Sequence, residues 1–210
     1  MIETVILMIV IGVLAGIGGA VLGLGGGIIV TPVLTLFFHL DIKYAIGASI
    51  VVVIATSSGS TIAYLKDEVL NLRVAMFLEI ATTIGALSGA LLTGILEPKY
   101  LYILFGLLLL FSAFNMVKKL LNKNKSNLST KDDKLAEKLR LNSSYYDKAE
   151  KKQIDYKVEN IPGGLSVMFG AGLASGLLGI GSGAFKVIAM DTFMKMPLKP
   201  SSATSNLMMG

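Results

Sequence analysis

The chain has 210 residues, of which 53% are hydrophobic and only 16% are charged. A soluble globular domain is about 45–50% apolar and about 25% charged, so this composition excludes an ordinary soluble enzyme and predicts an all-α, polytopic membrane protein. The net charge of +5 does not indicate nucleic-acid binding, because 12 of the 19 Lys and Arg lie between residues 118 and 157. With no cysteine and the single histidine His39, thiolate and multi-histidine metal sites are excluded, and we expect no metal and no cofactor.

The first apolar stretch covers residues 5–40 and is almost uncharged. One helix of that length would be about 54 Å long, whereas the hydrocarbon core of a bilayer is about 30 Å thick. The run Gly23-Leu-Gly-Gly-Gly27 interrupts the stretch, and Pro32 follows it. We therefore predict two short membrane helices joined by a glycine-rich break, with no cleaved signal peptide because a basic segment does not precede them.

Further apolar stretches predict the remaining membrane helices, at residues 45–65, 74–96, 100–117 and 161–194. The polar segment between the last two is expected to be flexible at first and to form a short surface helix over 132–140. Its excess of Lys and Arg predicts that 118–157 faces the cytoplasm. Counting back through the spans places the N-terminus outside.

A sequence repeat divides the chain. The segment Leu22-Gly-Leu-Gly-Gly-Gly-Ile28 resembles Leu178-Gly-Ile-Gly-Ser-Gly-Ala184 at an offset of 156 residues, and the same offset pairs Lys43 with Lys199. The chain is thus expected to contain a first membrane repeat (1–121), a polar basic cytoplasmic loop (122–160) and the start of a second, truncated repeat (161–210). Five passes in the first repeat would make the second repeat inverted, and four passes would make it parallel; inverted repeats with broken helices are a recurrent plan of transporters.

The two glycine runs are the first candidate binding elements. A helix broken within a membrane exposes backbone N–H groups, and glycine lets a ligand approach the backbone closely, which suits an anion. The alternative is that these glycines only allow helices to pack closely. The candidate substrate-binding residues of the two runs are Gly23, Gly25, Gly26, Gly27, Gly179, Gly181, Ser182 and Gly183.

Polar side chains in the apolar stretches complete the candidate site. Lys186 could balance the charge of an anion or extend to the membrane interface. Ser49, Ser205 and Asn206 could bind an oxyanion or form bonds between helices. Asp191 is a candidate partner of Lys186. Glu79 and Asp191 are candidates for proton coupling, with an interfacial position one to two turns into its span as the alternative for Glu79.

These motifs resemble the sulfite exporter TauE/SafE (TSUP) family over essentially the whole chain. The resemblance rests on the doubled glycine motif, on Ala48-Ser49 and Ala203-Thr-Ser205, and on the polar segment Leu139-Arg-Leu-Asn-Ser-Ser-Tyr-Tyr-Asp147. It implies a permease for small anions such as sulfite or sulfonates, built from two homologous helical halves. The second repeat departs from the family pattern at two positions, where Ser182 replaces the third glycine and Ile188 replaces the proline.

We therefore predict a multi-pass plasma-membrane transporter of a small anion, most simply a sulfur oxyanion or organosulfonate, and not an enzyme. An anion channel and a non-transporting membrane scaffold are the alternatives. The expected partners are the anion, the lipid bilayer and a second copy of the chain, with no nucleic acid.

Overall fold

The computed structural model describes residues 2–22, 25–121, 133–147 and 151–209, and every structural statement below refers to these residues. The fold is mostly helical. In chain order the helices are α1 (Ile2–Leu22), α2 (Gly27–Leu36), α3 (Ile42–Lys66), α4 (Leu72–Ile95), α5 (Pro98–Leu121), α6 (Lys134–Lys138), α7 (Ile161–Leu178), α8 (Gly183–Ile188) and α9 (Leu198–Leu207), with a π-helical turn at Ala189–Phe193 after α8. The two strands are β1 (Ser143–Asp147) and β2 (Lys152–Tyr156).

Three of the described helices, α3, α4 and α7, are long and apolar enough to cross a membrane. Shorter apolar helices cover Ile6–Ala20, Gly27–Leu36 and Pro98–Phe111. At about 1.5 Å per residue, the ten residues of α2 reach only about 15 Å, half of a hydrocarbon core. The prediction of a helical membrane protein is confirmed at this level.

Side-chain caps fix where two of the long helices begin. The Asp41 carboxylate accepts a hydrogen bond from the backbone N–H of Lys43 (2.9 Å), and the Asn71 side-chain oxygen accepts one from the N–H of Val74 (3.1 Å). Each cap satisfies an N–H group that has no partner within the first turn of the helix. Only five residues separate α3 from α4, so the chain reverses between them.

Glycines bring α4 and α7 into backbone contact. Gly85 and Gly89 on α4, like Gly172 and Gly176 on α7, are spaced four residues apart, so each pair lies on one face of its helix. A Cβ at any of these four glycines would overlap a carbonyl oxygen of the other helix. Thr93 on α4 adds a hydroxyl that donates to the carbonyls near the end of α7. Small residues at such spacing are how membrane helices pack without a hydrophobic driving force.

The polar segment folds into a compact cap that the sequence did not fully predict. The expected short helix is present as α6, but the antiparallel hairpin β1–β2 was not expected, and it is an exception to the all-α prediction. Residues 122–132, where flexibility was expected, lie outside the described part of the chain. The cap packs on the ends of the membrane helices through a buried cluster that includes Leu141, Tyr145 and Tyr156.

Polar bonds hold this cap to both halves of the chain. Asn71, before α4, donates to the Leu141 carbonyl (2.9 Å) and to the Tyr156 hydroxyl (3.0 Å). Lys199, at the start of α9, lies 2.6 Å from the Asp147 carboxylate. Burial raises the pKa of the Tyr156 phenol above its ordinary value, so the hydroxyl stays protonated at neutral pH. The cap therefore links the start of α4 with the start of α9.

The helix bounds follow the offset of the sequence repeat. The ends of α1 and α7 differ by 178 − 22 = 156 residues, the starts of α2 and α8 by 183 − 27 = 156, and the starts of α3 and α9 by 198 − 42 = 156. The predicted apolar stretch 161–194 is divided into α7, α8 and the π-helical turn, as 5–40 is divided into α1 and α2. A π-helical turn follows Ile188, the residue that stands at the place of Pro32.

Candidate functional site

Both glycine runs lie against the same part of α3. A Cβ at Gly25 would lie 2.8 Å from Val53, and Gly181 contacts the same valine. Gly179 packs against Ile46, two turns before Val53. Because α3 is long enough to span a membrane, the two runs meet some 5 to 12 residues into a candidate span.

Backbone geometry requires glycine at four of these positions. Gly25, Gly26, Gly179 and Gly181 have φ between +64° and +77°, a region that side chains with a Cβ rarely adopt. Gly27 is restricted differently, because a Cβ there would lie 2.8 Å from both the Ser49 hydroxyl and Val53. Packing and backbone conformation thus account for these glycines whether or not a ligand binds. Gly23 lies outside the described residues.

The two candidate serines hold the glycine runs in place. Ser49 donates to the Gly179 carbonyl (2.8 Å), and it also lies within hydrogen-bond reach of the Gly27 carbonyl (3.4 Å). Ser205 donates to the Gly183 carbonyl at 3.3 Å, which repeats the Ser49–Gly27 bond at an offset of 156. Both serines are fully buried and neither lines the cavity described below. Their described bonds are structural bonds between helices.

Asn206 is buried beside the end of α1. Its amide nitrogen donates to the carbonyls of Ala20 and Ser202, both at 3.2 Å. Its side-chain oxygen is buried without a hydrogen-bond partner in the described part of the chain. Asn206 therefore belongs to the contact between α9 and α1.

Lys186 is the buried cation of the site. It is 2% exposed, and its ammonium group lies 3.4 Å from the Glu79 carboxylate on α4 and donates to the Met208 carbonyl at 2.7 Å. The carboxylate that the structure places on Lys186 is thus Glu79, which lies 107 residues away, rather than the expected Asp191. Asp191 lies half-buried in the π-helical turn and makes interactions of its own. The residue equivalent to Lys186 in the first repeat is Val30, so this cation belongs to one half only.

A cavity of about 370 Å³ opens beside this ion pair. Its walls come from α3, α4, α7, the start of α8 and the residues that follow α9. Its polar lining includes Glu79, Thr82, Thr83, Ser175, Ser182 and Lys186. Four predicted site residues therefore meet in one cavity, namely Glu79, Lys186, Gly181 and Ser182.

Sequence reasoning missed the threonines of this cavity. Thr82 and Thr83 stand three and four residues after Glu79, so all three lie on one face of α4. Thr83 is within 3.4 Å of the Glu79 carboxylate. The spacing of three and four residues from Glu79 was the sequence signal that could have identified these threonines. The cavity thus combines one cation, one carboxylate and several hydroxyl groups, and the cation can bind a small oxyanion when the carboxylate moves away from it.

Comparison with known proteins identifies the family to which the chain belongs. The family model described as sulfite exporter TauE/SafE matches residues 8–210. The chain is 28% identical over 207 residues to the probable membrane transporter protein YunE of Bacillus subtilis (strain 168), covering 95% of this chain and 72% of YunE.

Two further relatives carry the same kind of description. The probable membrane transporter protein MJ0441 of Methanocaldococcus jannaschii is 30% identical over 135 residues, which is 61% of this chain and about half (49%) of MJ0441. The probable membrane transporter protein YdhB of Bacillus subtilis (strain 168) is 24% identical over 203 residues, covering 97% of this chain and 71% of YdhB. No solved structure matches the chain at a comparable level. The match of the family model over nearly the whole length shows that the chain belongs to the sulfite exporter TauE/SafE family of membrane transporters.

Proposed function

We propose that the protein transports a small anion, a sulfur oxyanion or an organosulfonate, across the plasma membrane. The observation that carries the proposal is Lys186, a cation that is 2% exposed at the wall of a cavity within a set of candidate membrane spans. A buried charge in a membrane protein is costly and is found where function requires it. The family name supplies the sulfur chemistry.

The cavity suits an oxyanion in its donors as well as in its charge. An ammonium group has three N–H donors, and the described bonds to Glu79 and Met208 use two of them. The Ser182 hydroxyl can add a neutral donor to the same space, and so can the Thr83 hydroxyl once Glu79 no longer accepts from it, whereas the Thr82 hydroxyl donates to the Leu78 carbonyl at 3.0 Å. An apolar wall from α3 would exclude water and strengthen each of these bonds.

The orientation of the helices supports an inverted repeat. Gly16 lies against Thr56, and Ala20 accepts a bond from the Tyr64 hydroxyl at 3.2 Å, so α1 runs in the same direction as α3. On the other side, Gly172 contacts Thr82 and a Cβ at Gly176 would meet Ala86, so α7 runs parallel to α4.

Since the chain reverses between α3 and α4, the repeat-equivalent helices α1 and α7 run in opposite directions. The proposal therefore includes two inverted halves whose glycine breaks lie near the middle of the membrane, a recurrent arrangement of binding sites in secondary transporters. With five passes before it, the segment 118–157 would lie in the cytoplasm, in agreement with its basic charge.

Calorimetry on the purified full-length protein tests the anion site. The titrants are sulfite, thiosulfate, sulfonates and carboxylates. We expect one of the sulfur anions to bind, and Lys186→Gln to weaken its binding about 10-fold or more, as for a lost charged hydrogen bond. The matched control is Lys43→Gln, at the exposed start of α3. This variant should bind the anion with the affinity of the unmodified protein. Unchanged affinity in Lys186→Gln would remove the site from this cavity.

A membrane scaffold is the second candidate, favoured by the close packing found at the glycine runs. A Cβ at Gly27 or Gly179 would clash with α3 whether or not a ligand is present. A scaffold requires these contacts but no anion. A protein that is folded and monodisperse but binds none of the titrants would favour it, and saturable uptake into vesicles would exclude it.

A further inference from the structure

We propose that the anion replaces the Glu79 carboxylate as the partner of Lys186 while Glu79 takes up a proton. Each monovalent anion would then cross the membrane together with one proton. This inference rests on the proposed function and adds the coupling ion and its stoichiometry. It comes from the Glu79–Lys186 pair, which joins two residues that are 107 positions apart and come from different repeats.

The geometry makes the carboxylate a competitor of the anion. Glu79 lies 3.4 Å from the ammonium group, and both residues line the cavity. Lys186 is almost completely buried, whereas the side chain of Glu79 is 38% exposed. The lysine is therefore the buried member of the pair, and the glutamate is the member that is more accessible from the cavity.

The charge balance then sets the stoichiometry. Without an anion, Glu79 and Lys186 neutralise each other inside the chain. An anion that binds Lys186 while Glu79 stays ionised would leave one uncompensated negative charge in a region of low dielectric constant, which is unfavourable. When Glu79 takes up a proton, its charge is removed and the site holds one cation and one anion. The site is neutral in both states, and the proton and the anion enter and leave together.

No other ionisable side chain complicates this balance among the described residues that line the cavity. The α3 wall provides Ile50, Val53 and Ile54, and the α9 end provides Met208 and Met209. The walls from α7 and the second glycine run are Ser175, Gly176, Gly181 and Ser182. Glu79 and Lys186 are the ionisable pair, and Asp191 in the neighbouring π-helical turn is not part of the wall.

Proteoliposomes that contain the full-length protein and an internal pH dye test the exchange. The probes are the monovalent anion methanesulfonate and the divalent anion thiosulfate. Methanesulfonic acid is a strong acid, so methanesulfonate does not cross the membrane in its neutral, protonated form. Anion uptake is measured by isotope and proton uptake by the dye, without an imposed pH gradient. We expect one proton for each methanesulfonate, and thiosulfate entry that is accelerated by an inside-positive potential, because one proton leaves one of its charges uncompensated.

Variants separate the coupling from transport itself. Glu79→Gln mimics the protonated carboxyl and should transport the anion without protons and with uptake independent of pH between about 5.5 and 8. The matched control Glu97→Gln, in the exposed turn between α4 and α5, should keep the coupling. Lys186→Gln should lose anion uptake.

Three results would overturn the inference. Anion uptake without protons in the unmodified protein removes the coupling and leaves the proposed function intact. Proton uptake that persists in Glu79→Gln removes Glu79 from the exchange. Absence of uptake for both probes and for sulfite, in protein shown to be folded, removes the proposed function and this inference with it. If Glu79→Gln does not fold, the proton count of the unmodified protein decides alone.

Discussion

The contact between α4 and α7 gives the sharpest test of the fold, because the chain contains both sensitive and insensitive glycines. Gly172 and Gly170 lie two residues apart on α7. A Cβ at Gly172 would overlap the Thr82 carbonyl oxygen, whereas a Cβ at Gly170 would have nothing within 4 Å. On α4, Gly89 and Gly94 form a second pair of this kind, with Gly94 as the unrestricted member.

The magnitude follows from what the added methyl group displaces. The obstacle is a backbone carbonyl in a rigid helix, so the helices must separate, and overpacking of this kind costs about 1–3 kcal/mol. We therefore expect Gly172→Ala to lower the free energy of unfolding by about 1–3 kcal/mol. The control Gly170→Ala should not lower it, because its Cβ meets open space and alanine is favoured over glycine inside a helix by about 0.5–1 kcal/mol.

Reversible unfolding in mixed micelles, titrated with a denaturing detergent, measures this difference in free energy. The Gly89→Ala and Gly94→Ala pair should reproduce it on the other helix. Equal stabilities of Gly172→Ala and Gly170→Ala would show that α4 and α7 do not pack as described. The parallel orientation used to infer the inverted repeat would then lose its basis.

Three further predictions concern the cap, the serines and the topology. Asp147→Asn should lower stability by up to about 1 kcal/mol, because Lys199 is half-exposed, and a double-mutant cycle with Lys199→Gln should give a coupling of that size in thermal unfolding. Ser49→Ala should cost about 1 kcal/mol of stability through its lost bond to a glycine carbonyl, with anion affinity in calorimetry unchanged. In this cysteine-free chain, an impermeant maleimide on intact cells should label Lys99→Cys and not Lys138→Cys, and the reverse pattern would invert the proposed topology.

The membrane helices were predictable because the signal for them is local. A membrane helix needs only a long apolar stretch, and the stretches at 45–65 and 74–96 correspond to α3 and α4. The glycine runs likewise coincide with helix ends, since glycine is the residue that tolerates positive φ. The hairpin β1–β2 could not be read in the same way, because its strands are short and polar and are stabilised by packing on distant helices.

The residues of the candidate site could be predicted from the sequence, but their contacts with one another could not. A charged residue in an apolar stretch is conspicuous, so Lys186 and Glu79 were both singled out. Their pairing is a tertiary contact between α4 and α8, and a nearby residue, Asp191, was the partner that sequence alone suggested. For the two serines, the repeat predicted that Ser49 and Ser205 occupy equivalent positions. It did not predict that their hydroxyl groups donate to glycine carbonyls.

Anomalous X-ray scattering can show directly whether an anion binds beside Lys186. Selenite has the shape and charge of sulfite and contains an atom that scatters anomalously. In crystals of the full-length protein soaked with selenite, the account predicts an anomalous peak in the cavity between α3, α4 and α7, with selenite oxygens within about 3 Å of the Lys186 ammonium group. A peak elsewhere in the protein, with this cavity empty, would contradict it.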